Sequence, residues 1–477
     1  MVRNGIIGRK YEFDRLDSCV NSKEAQLIVV YGRRRVGKTY LINRYFDNSF
    51  DFKFTGEFGA SKDQQLKNFT DEMSRCQGRE VSKPADWREA FSQLRDYISD
   101  LPVSEKAIVF FDEMPWMETP RSGFLEAFEY FWNSWANAQN NLVFIICGSA
   151  TSWLTNKIER NKGGLFSRLT CSLYLKPFSL METEEYLVSS GIEWSRYDIA
   201  ECYMVMGGIP HYLSLLQPGI SYTSNIDNLF FKKRAELWNE FDNLYHTLFS
   251  NSDKYINIVN ALSKKRMGLT MEEISHNTGI SKNGSLSKML EDLLDTGFIR
   301  MNTFYGRKKR EALYQLADYY TLFYLYYLKD KSGIDEQFWT KGIGSPSRNA
   351  WAGFTFELLC MDHINCIKKA LDIAGVLTEQ SIWYSKGDDT YDGAQIDLLI
   401  DRRDRVINLC EIKFSGREFR IDKDYERALR NKIGAFVDAT NCKKTVSLTM
   451  ITPYGVQNGK YSGLIGGQVE LDDLFKW

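Results

Sequence analysis

The stretch "YGRRRVGKTY", residues 31 to 40, contains two patterns that predict different functions. Three consecutive arginines, Arg33, Arg34 and Arg35, are typical of a patch that contacts a nucleic-acid backbone. The same residues also have the spacing G-x-x-x-x-G-K-T from Gly32 to Thr39, which is typical of a loop that binds phosphate groups. The neighbouring sequence has to decide between a nucleotide-using protein and a basic binding module.

The segments on either side of this loop favour the phosphate-binding interpretation. The apolar run "LIVVY" (27–31) predicts a buried strand, and "KTYLINRYF" (38–46) predicts a helix. Main-chain N–H groups of the loop and the helix N-terminus would cradle phosphates, and Lys38 would add a positive charge. The Thr39 hydroxyl would be a ligand of Mg²⁺. The alternative is an ordinary glycine turn with a solvated lysine.

A second pattern supplies the acids that such a site needs. The run "AIVFFDE" (107–113) places Asp112 and Glu113 at the end of a predicted buried strand. We expect Asp112 to hold Mg²⁺ and Glu113 to polarise the attacking water. The next apolar run, "NLVFIICGS" (141–149), ends in Ser149, which is either a polar sensor of the γ-phosphate or an ordinary strand-end serine.

Length and composition restrict the class of protein. The 477 residues exceed what one hydrophobic core supports, and the net charge of −1 excludes a general attraction to polyanions. The nine cysteines form no C-x-x-C pair and the four histidines lie far apart, which argues against a zinc site or a disulfide framework. The longest apolar run, "YYTLFYLYYL" (319–328), is too short to cross a bilayer. With no signal-peptide core at the N-terminus, the sequence predicts a cytoplasmic protein with no membrane contact.

The first 315 residues or so resemble the AAA+ ATPases, specifically a prokaryotic branch near the signalling STAND group. The resemblance rests on "IIGRKYEFDRL" (6–16), the two nucleotide motifs, "CGSATSWL" (147–154) and "GGIPHYL" (207–213). It implies that Ile7, Gly8 and Arg9 contact the nucleotide base and that the G-G-x-P segment belongs to a helical lid. Arg168 in "GGLFSRLT" is the candidate arginine finger, the alternative being a structural surface residue.

The resemblance settles how the three arginines are interpreted. They occupy variable positions of the loop, where they add positive potential near the phosphates or meet a neighbouring subunit, and we do not expect a separate nucleic-acid patch. The predicted nucleotide-binding residues are Gly8, Arg9, Gly32, Arg33, Arg34, Arg35, Val36, Gly37, Lys38, Thr39, Tyr40, Asp112, Ser149 and Arg168.

The middle of the chain resembles a winged helix. Residues 253 to 316 contain a helical pattern, a turn at Gly279, a second helix expected to begin at Ser281, and a strand after Gly297. The hairpin that follows carries "GRKKRE", with basic residues 307 to 310 at its tip. Such domains put their second helix in a major groove and their wing on phosphates. The alternatives are a lid that only packs and a module that binds protein.

Near the C-terminus, two predicted strands carry a polar trio. Glu411 and Lys413 lie two residues apart in "NLCEIKFSG", so both side chains leave the strand on one face. If the hairpin is symmetric about Asp404, Asp397 of "GAQIDLLID" lies directly opposite Glu411. Two carboxylates so close repel each other unless a divalent cation lies between them. The trio therefore predicts metal-assisted phosphodiester hydrolysis.

This region, residues 346 to 477, resembles the PD-(D/E)XK nuclease superfamily. Asp397 takes the first acidic position, preceded by Ile396 in place of proline, and Glu411-Ile412-Lys413 forms E-x-K. The resemblance implies that Glu357, in the preceding helix, completes a metal site with Asp397 and Glu411. The alternative is a structural cluster on an inactive nuclease-like fold.

The sequence thus predicts an α/β protein with five regions, listed here in chain order: a P-loop ATPase core with a parallel sheet (1–180), a helical lid (181–250), a winged helix (251–316), a helical connector (317–345) and a restriction-endonuclease-like α/β domain (346–477). We expect an ATPase that uses ATP and Mg²⁺. ATP would control assembly of a homo-oligomer or docking on DNA, the expected partner. The alternative is a STAND-like regulatory switch whose C-terminal domain only binds.

Overall fold

The computed structural model describes residues 2–3, 5–149, 168–249, 251–331, 333 and 335–476. The chain divides into two compact units, Met1–Pro177 and Phe178–Trp477. The division lies close to residue 180, where the sequence predicts the end of the ATPase core. The second unit contains the four remaining predicted regions.

A parallel sheet forms the centre of the first unit, after a short antiparallel pair of β1 (Val2–Arg3) and β2 (Ile6–Ile7). Its strands are β3 (Gln26–Tyr31), β4 (Phe52–Thr55), β5 (Ala107–Asp112), β6 (Leu142–Gly148) and β7 (Cys171–Tyr174). They are parallel and lie in the order β4-β5-β6-β3-β7. This is the parallel α/β sheet that is typical of P-loop NTPases, and its central strands are buried, as strands covered on both faces are.

The helices of the first unit follow the strands of the sheet. They are α1 (Lys10–Val20), α2 (Lys38–Tyr45), α3 (Lys62–Gln77), α4 (Trp87–Ser99) and α5 (Phe124–Ser134). Aromatic side chains dominate the core on the side of α3 to α5, where Phe54, Trp87 and Phe124 are buried in one cluster. Because parallel strands end at one edge of a sheet, the residues that follow β3, β5 and β6 come together there.

The second unit begins with a helical region. Its helices are α6 (Leu180–Ser189), α7 (Arg196–Met206), α8 (Pro210–Leu213), α9 (Tyr222–Ile226) and α10 (Glu240–Leu248), with a π-helical turn at Asp227–Phe231. The predicted G-G-x-P break separates α7 from α8. Gly208 is required there, because a Cβ atom would lie 2.0 Å from the Phe178 carbonyl oxygen.

Three helices and a hairpin follow, which we name the helix–hairpin module (residues 252–316). They are α11 (Ser252–Ser263), α12 (Met271–Thr278), α13 (Gly284–Asp295), β8 (Ile299–Asn302) and β9 (Leu313–Leu316). The predicted start of α13 at Ser281 is wrong. The Asn283 side chain accepts hydrogen bonds from the N–H groups of Ser285 and Leu286, so Asn283 is the N-cap and α13 begins at Gly284.

The apolar run at 319–328 lies in the connector. It forms α14 (Tyr319–Phe323) and a π-helical turn (Tyr324–Leu328), before the short helix α15 (Phe338–Lys341). Tyr320 and Phe323 are fully buried, so this run is protein core. Among the helices that the structure describes, none is long and apolar enough to cross a membrane.

The C-terminal region is a mixed five-stranded sheet with helices. Its elements are α16 (Pro346–Asp362), α17 (Ile364–Ala370), β10 (Thr378–Gly387), β11 (Asp392–Arg402), β12 (Val406–Ile412), α18 (Lys423–Thr440), β13 (Thr445–Thr452) and β14 (Gly467–Glu470). The order is β10-β11-β12-β13-β14, antiparallel among the first three strands and parallel among the last three. The helix that the sequence predicts around Glu357 is α16, and it is followed at His363 by the separate helix α17.

Candidate functional site

The phosphate loop is shaped by two glycines. Gly32 has φ of 148°, and a Cβ atom there would lie 2.3 Å from the Leu175 carbonyl oxygen, so only glycine fits. Gly37 has φ of 89° and is the residue from which α2 begins. The loop therefore turns sharply after β3 and again before α2, which leaves its main chain open to a phosphate group.

Lys38 points back into this loop. Its ammonium group donates hydrogen bonds to the carbonyl oxygens of Gly32 and Arg33, each at 3.0 Å. The side chain is buried, and this burial lowers the pKa of Lys38. A positive charge thus lies where the β- and γ-phosphates of a nucleotide are expected.

Thr39 and Asp112 meet at the carboxyl edge of the sheet. The Thr39 hydroxyl lies 3.1 Å from Oδ1 and 2.9 Å from Oδ2 of Asp112 and donates to this carboxylate. Asp112 ends β5 and is buried. A hydroxyl and a carboxylate in contact fit Mg²⁺, which takes oxygen ligands from one or two side chains and from phosphate.

The acid that follows Asp112 is held by Ser149. The Glu113 carboxylate accepts from the Ser149 N–H at 3.1 Å and from the Ser149 hydroxyl at 3.0 Å. Glu113 itself has φ of 47°, a left-handed conformation that ends β5. The predicted sensor and the predicted water-polarising acid are therefore one hydrogen-bonded pair.

The first box is joined to the phosphate loop through Arg9. Its guanidinium donates to the Val36 carbonyl oxygen at 3.2 Å and lies 3.5 Å from the Glu12 carboxylate. Gly8 has φ of 63°, and Ile7 is buried. These contacts place the box directly beside the loop.

The remaining predicted arginines do not form an exposed patch. Arg33 is 5% exposed, and Arg34 and Arg35 are half-buried.

Tyr40 is exposed on α2, where the Arg44 guanidinium lies 5.4 Å from its ring. Arg168 is exposed and directly follows residues 150–167, which lie outside the described part of the chain along with most of "CGSATSWL".

The hairpin of the helix–hairpin module pairs with the C-terminal sheet. The Tyr305 N–H donates to the Ile382 carbonyl oxygen, and the Ile382 N–H donates to that of Thr303, each at 2.9 Å. Arg307, Lys308 and Arg310 remain exposed at the tip, while the Lys309 side chain lies outside the described part. The sequence does not predict this pairing.

The hairpin that carries the C-terminal trio has the predicted symmetry. Strands β11 and β12 pair Leu398 with Cys410 and Leu399 with Leu409, which is symmetric about Asp404. The pairing ends at Leu398 and Cys410, and the register extended by one position would place Asp397 opposite Glu411.

Glu411 is surrounded by donors. Its Oε2 accepts from Lys432 at 2.7 Å, and its Oε1 accepts from Tyr425 at 2.6 Å and lies 3.1 Å from the Lys413 ammonium. Burial alone raises the pKa of Glu411, but Lys432 and Lys413 stabilise the ionised form and bring the net pKa below its ordinary value. The carboxylate is therefore charged and already compensated.

The other two acids line a small cleft. Glu357 and Asp397 lie in the wall of an opening of about 250 Å³, which we name the acidic cleft. Burial, followed by the charge of Asp397, raises the pKa of Glu357 to about 8. Burial and the charge of Glu411 also raise the pKa of Asp397, whose Oδ1 accepts from Gln395. Throughout the described residues, no group of three or more acidic, histidine or cysteine side chains is arranged to hold a metal ion.

Lys432 and Tyr425 are site residues that the sequence analysis did not identify. Both lie on α18, seven positions apart, so they occupy the same face of the helix two turns from each other. That spacing is the only sequence signal for them. It is weak, because every amphipathic helix shows it.

Comparisons with known proteins agree with the first site. Residues 7–216 match the model of a family described as an ATPase domain predominantly from Archaea. The chain is 24% identical over 431 residues to an uncharacterized protein of Methanocaldococcus jannaschii, covering 89% of this chain and 90% of that protein. An uncharacterized ATP-binding protein of the same organism is 48% identical over 43 residues, which are 9% of this chain and 73% of that protein.

Two solved structures are similar in part. The Walker-type ATPase of Pyrococcus abyssi has 20% identity and a TM-score of 0.48, over 68% of this chain and 97% of that chain. The ORC2 protein of Aeropyrum pernix, in its ADPNP–ADP complexes, has 13% identity and a TM-score of 0.42, over 68% of this chain and 94% of that chain.

Proposed function

We propose that this chain, which carries an archaeal-type ATPase domain at residues 7–216, is a Mg²⁺-dependent ATPase that acts on DNA through its C-terminal region. The observation that carries the ATPase part is the contact between Thr39 and Asp112. It joins the phosphate loop to the end of β5 and brings together a hydroxyl and a carboxylate, two groups that would serve as oxygen ligands of Mg²⁺.

Each side chain of the first site has a separate role in ATP hydrolysis. Lys38 leaves the loop carbonyls to contact the β- and γ-phosphates, and Thr39 and Asp112 hold Mg²⁺. When bound, Mg²⁺ would neutralise negative charge on the phosphates. Glu113 orients and polarises water for attack on the γ-phosphorus, and Ser149 fixes the direction of its carboxylate.

For the C-terminal region we propose metal-dependent cleavage of DNA. Three features support this proposal: the hairpin register symmetric about Asp404, the ion pair of Lys413 with Glu411, and the position of Glu357 and Asp397 in one cleft. Because the described side chains are not arranged as a metal site, Asp397, Glu411 and Glu357 would have to move closer together to hold the cation, and Lys413 would orient a water molecule. The helix–hairpin module, in this proposal a winged helix, would contact the DNA backbone through its basic tip.

One observation favours a second function. Glu411 is already engaged by Lys413, Lys432 and Tyr425, so a metal ion would have to displace at least one of these donors. A carboxylate whose charge is already compensated in this way is also what a structural cluster in a non-catalytic binding module would contain. The second candidate is therefore a STAND-like switch, in which ATP controls assembly or docking and the C-terminal region binds without cutting.

The experiment that tests these proposals measures both reactions on the same purified protein. ATP hydrolysis and plasmid cleavage are followed with and without Mg²⁺ for the unaltered chain, Lys38→Ala and Asp397→Ala. We expect Lys38→Ala to abolish ATP hydrolysis, because it removes the charge in the loop. We expect Asp397→Ala to abolish cleavage and leave hydrolysis unchanged, because the acids lie in different units.

The possible results separate the proposals. Full hydrolysis by Lys38→Ala would reject the nucleotide site. Cleavage that persists in both Asp397→Ala and Lys413→Ala would reject the nuclease site. If the unaltered protein binds DNA in an ATP-dependent manner and never cuts it, the switch is the correct function.

A further inference from the structure

The acidic cleft has a wall that does not belong to the C-terminal region. On one side lie Glu357 of α16 and Asp397 of β11. On the other side lie four residues of the helix–hairpin module, namely Arg266, Met267, Asn302 and Gln315. The acids of the proposed nuclease site and a basic side chain from another region therefore share one opening.

Hydrogen bonds fix this second wall. The Asn302 amide donates to the Gln315 side-chain oxygen at 2.9 Å, and the Gln315 amide donates to the Arg266 carbonyl oxygen at 2.7 Å. An ion pair of 3.0 Å joins Arg300 of β8 to Asp362 at the end of α16. Together with the pairing of Tyr305 and Ile382, these contacts keep the cleft narrow.

Arg266 brings a positive charge to the acids. Its guanidinium lies 5.4 Å from the ring centre of Phe354, which precedes Glu357 by one turn of α16. The side chain is exposed, and none of the carboxylates in the described part of the chain lies within ion-pair distance of it. Its N–H donors therefore remain available to an anion that enters the cleft.

We propose that Arg266 is the phosphate-binding residue of this site. The inference rests on the proposed action on DNA and adds a substrate-binding residue to it. The Asp397 carboxylate repels a phosphodiester, and a guanidinium offsets this by donating two parallel hydrogen bonds to the phosphodiester oxygens.

The test is a binding measurement in the full chain. Fluorescence anisotropy in the presence of Mg²⁺ measures the affinity for a labelled single strand of about 15 nucleotides and for the matching duplex. All variants carry Lys413→Ala, so that the DNA is not cut during the measurement. We expect Arg266→Ala to weaken single-strand binding by about tenfold or more, since hydrogen bonds to charged groups contribute about 1.5–3 kcal/mol. Arg266→Lys should recover part of the loss, because it keeps the charge without the paired donors.

The matched control is Lys264→Ala. Lys264 is an exposed cation two positions away that does not line the cleft, so we expect less than about a threefold effect. Equal effects of Arg266→Ala and Lys264→Ala would overturn the assignment of Arg266. An unchanged affinity of Arg266→Ala for both the single strand and the duplex would overturn it as well. If the unaltered protein binds single strands through Arg266 but cuts no DNA, the nuclease proposal fails and this inference stands.

Discussion

Glu113 directly follows a buried strand and Glu411 lies on one, and the two acids differ in which groups hold their carboxylates. The Glu113 carboxylate accepts from the backbone N–H and hydroxyl of one serine, which are neutral donors. The Glu411 carboxylate lies between two lysine ammonium groups and a tyrosine hydroxyl. Neutral donors orient a carboxylate and leave its charge uncompensated, whereas two cations compensate it.

This difference bears on what each site requires before it reacts. In the proposed ATPase, Glu113 would act on water as soon as a nucleotide and Mg²⁺ were present, because its donors are neutral. In the proposed nuclease, Glu411 would first have to exchange a lysine for a metal ion. The same Glu→Gln change should therefore have different effects at the two positions. At Glu113 it should lower the rate of ATP hydrolysis, and at Glu411 it should lower the free energy of unfolding.

The largest effect that we expect is that of Glu113→Gln on ATP hydrolysis. Removing a general base lowers a rate by about 100-fold or more, while glutamine keeps the size of the side chain and an oxygen that can accept from Ser149. Nucleotide affinity, measured by titration with a fluorescent ATP analogue, should change by less than about threefold. Loss of affinity as large as that of Lys38→Ala would show that Glu113 has a different role.

A smaller effect is expected of Glu411→Gln on the free energy of unfolding. Breaking a buried ion pair costs about 3–5 kcal/mol. The Lys432 and Lys413 side chains are 23% and 40% exposed, so solvent screens them and we expect a loss of about 1–3 kcal/mol. Urea unfolding measures it, and Glu418→Gln, at an exposed position, is the control that should change little.

The pH dependence of this loss has a definite sign. The pKa of Glu411 is lower in the folded chain than its ordinary value of 4.5, so the folded state favours the ionised form. The stabilisation is therefore complete above pH 4.5 and decreases as the pH falls through the lowered value. The difference between Glu411→Gln and the unaltered chain should narrow in acid. A difference that widens in acid would contradict the ion-pair interpretation.

At both sites, the part that the sequence predicts is local. The phosphate loop is contiguous, so its spacing and the flanking strand and helix identify it without tertiary information. The register about Asp404 follows from the symmetry of a single hairpin, and the observed pairs from Leu398 to Asp401 have that symmetry. Both predictions depend only on local geometry.

The contacts that the sequence did not reveal are made between distant segments. Lys432 and Tyr425 reach Glu411 from α18 because that helix packs over the sheet, and no spacing in the sequence encodes this packing. The pairing of Tyr305 with Ile382 likewise joins the helix–hairpin module to an edge strand through main-chain groups, which carry no residue preference. These contacts depend on tertiary structure alone.

The smallest effect that we expect concerns the basic hairpin tip at 307–310. Replacing its four basic residues by glutamine should weaken DNA binding to about the same extent for all sequences, because contacts to phosphates do not read bases. Each lost phosphate contact should also lower the slope of log affinity against log salt by about one unit. Fluorescence anisotropy titrations at several salt concentrations between about 50 and 200 mM measure both the DNA affinity and its salt slope.

A second basic turn in the same unit provides the control for this prediction. Arg403 and Arg405 are exposed in the turn between β11 and β12, and their replacement by glutamine removes charge without touching the helix–hairpin module. If only net charge matters, the two sets of variants should lower the salt slope in proportion to the charges removed. A larger decrease per charge at the tip would support its placement on the DNA backbone. An unchanged slope for the tip variant would assign the hairpin to its pairing with the C-terminal sheet and to nothing more.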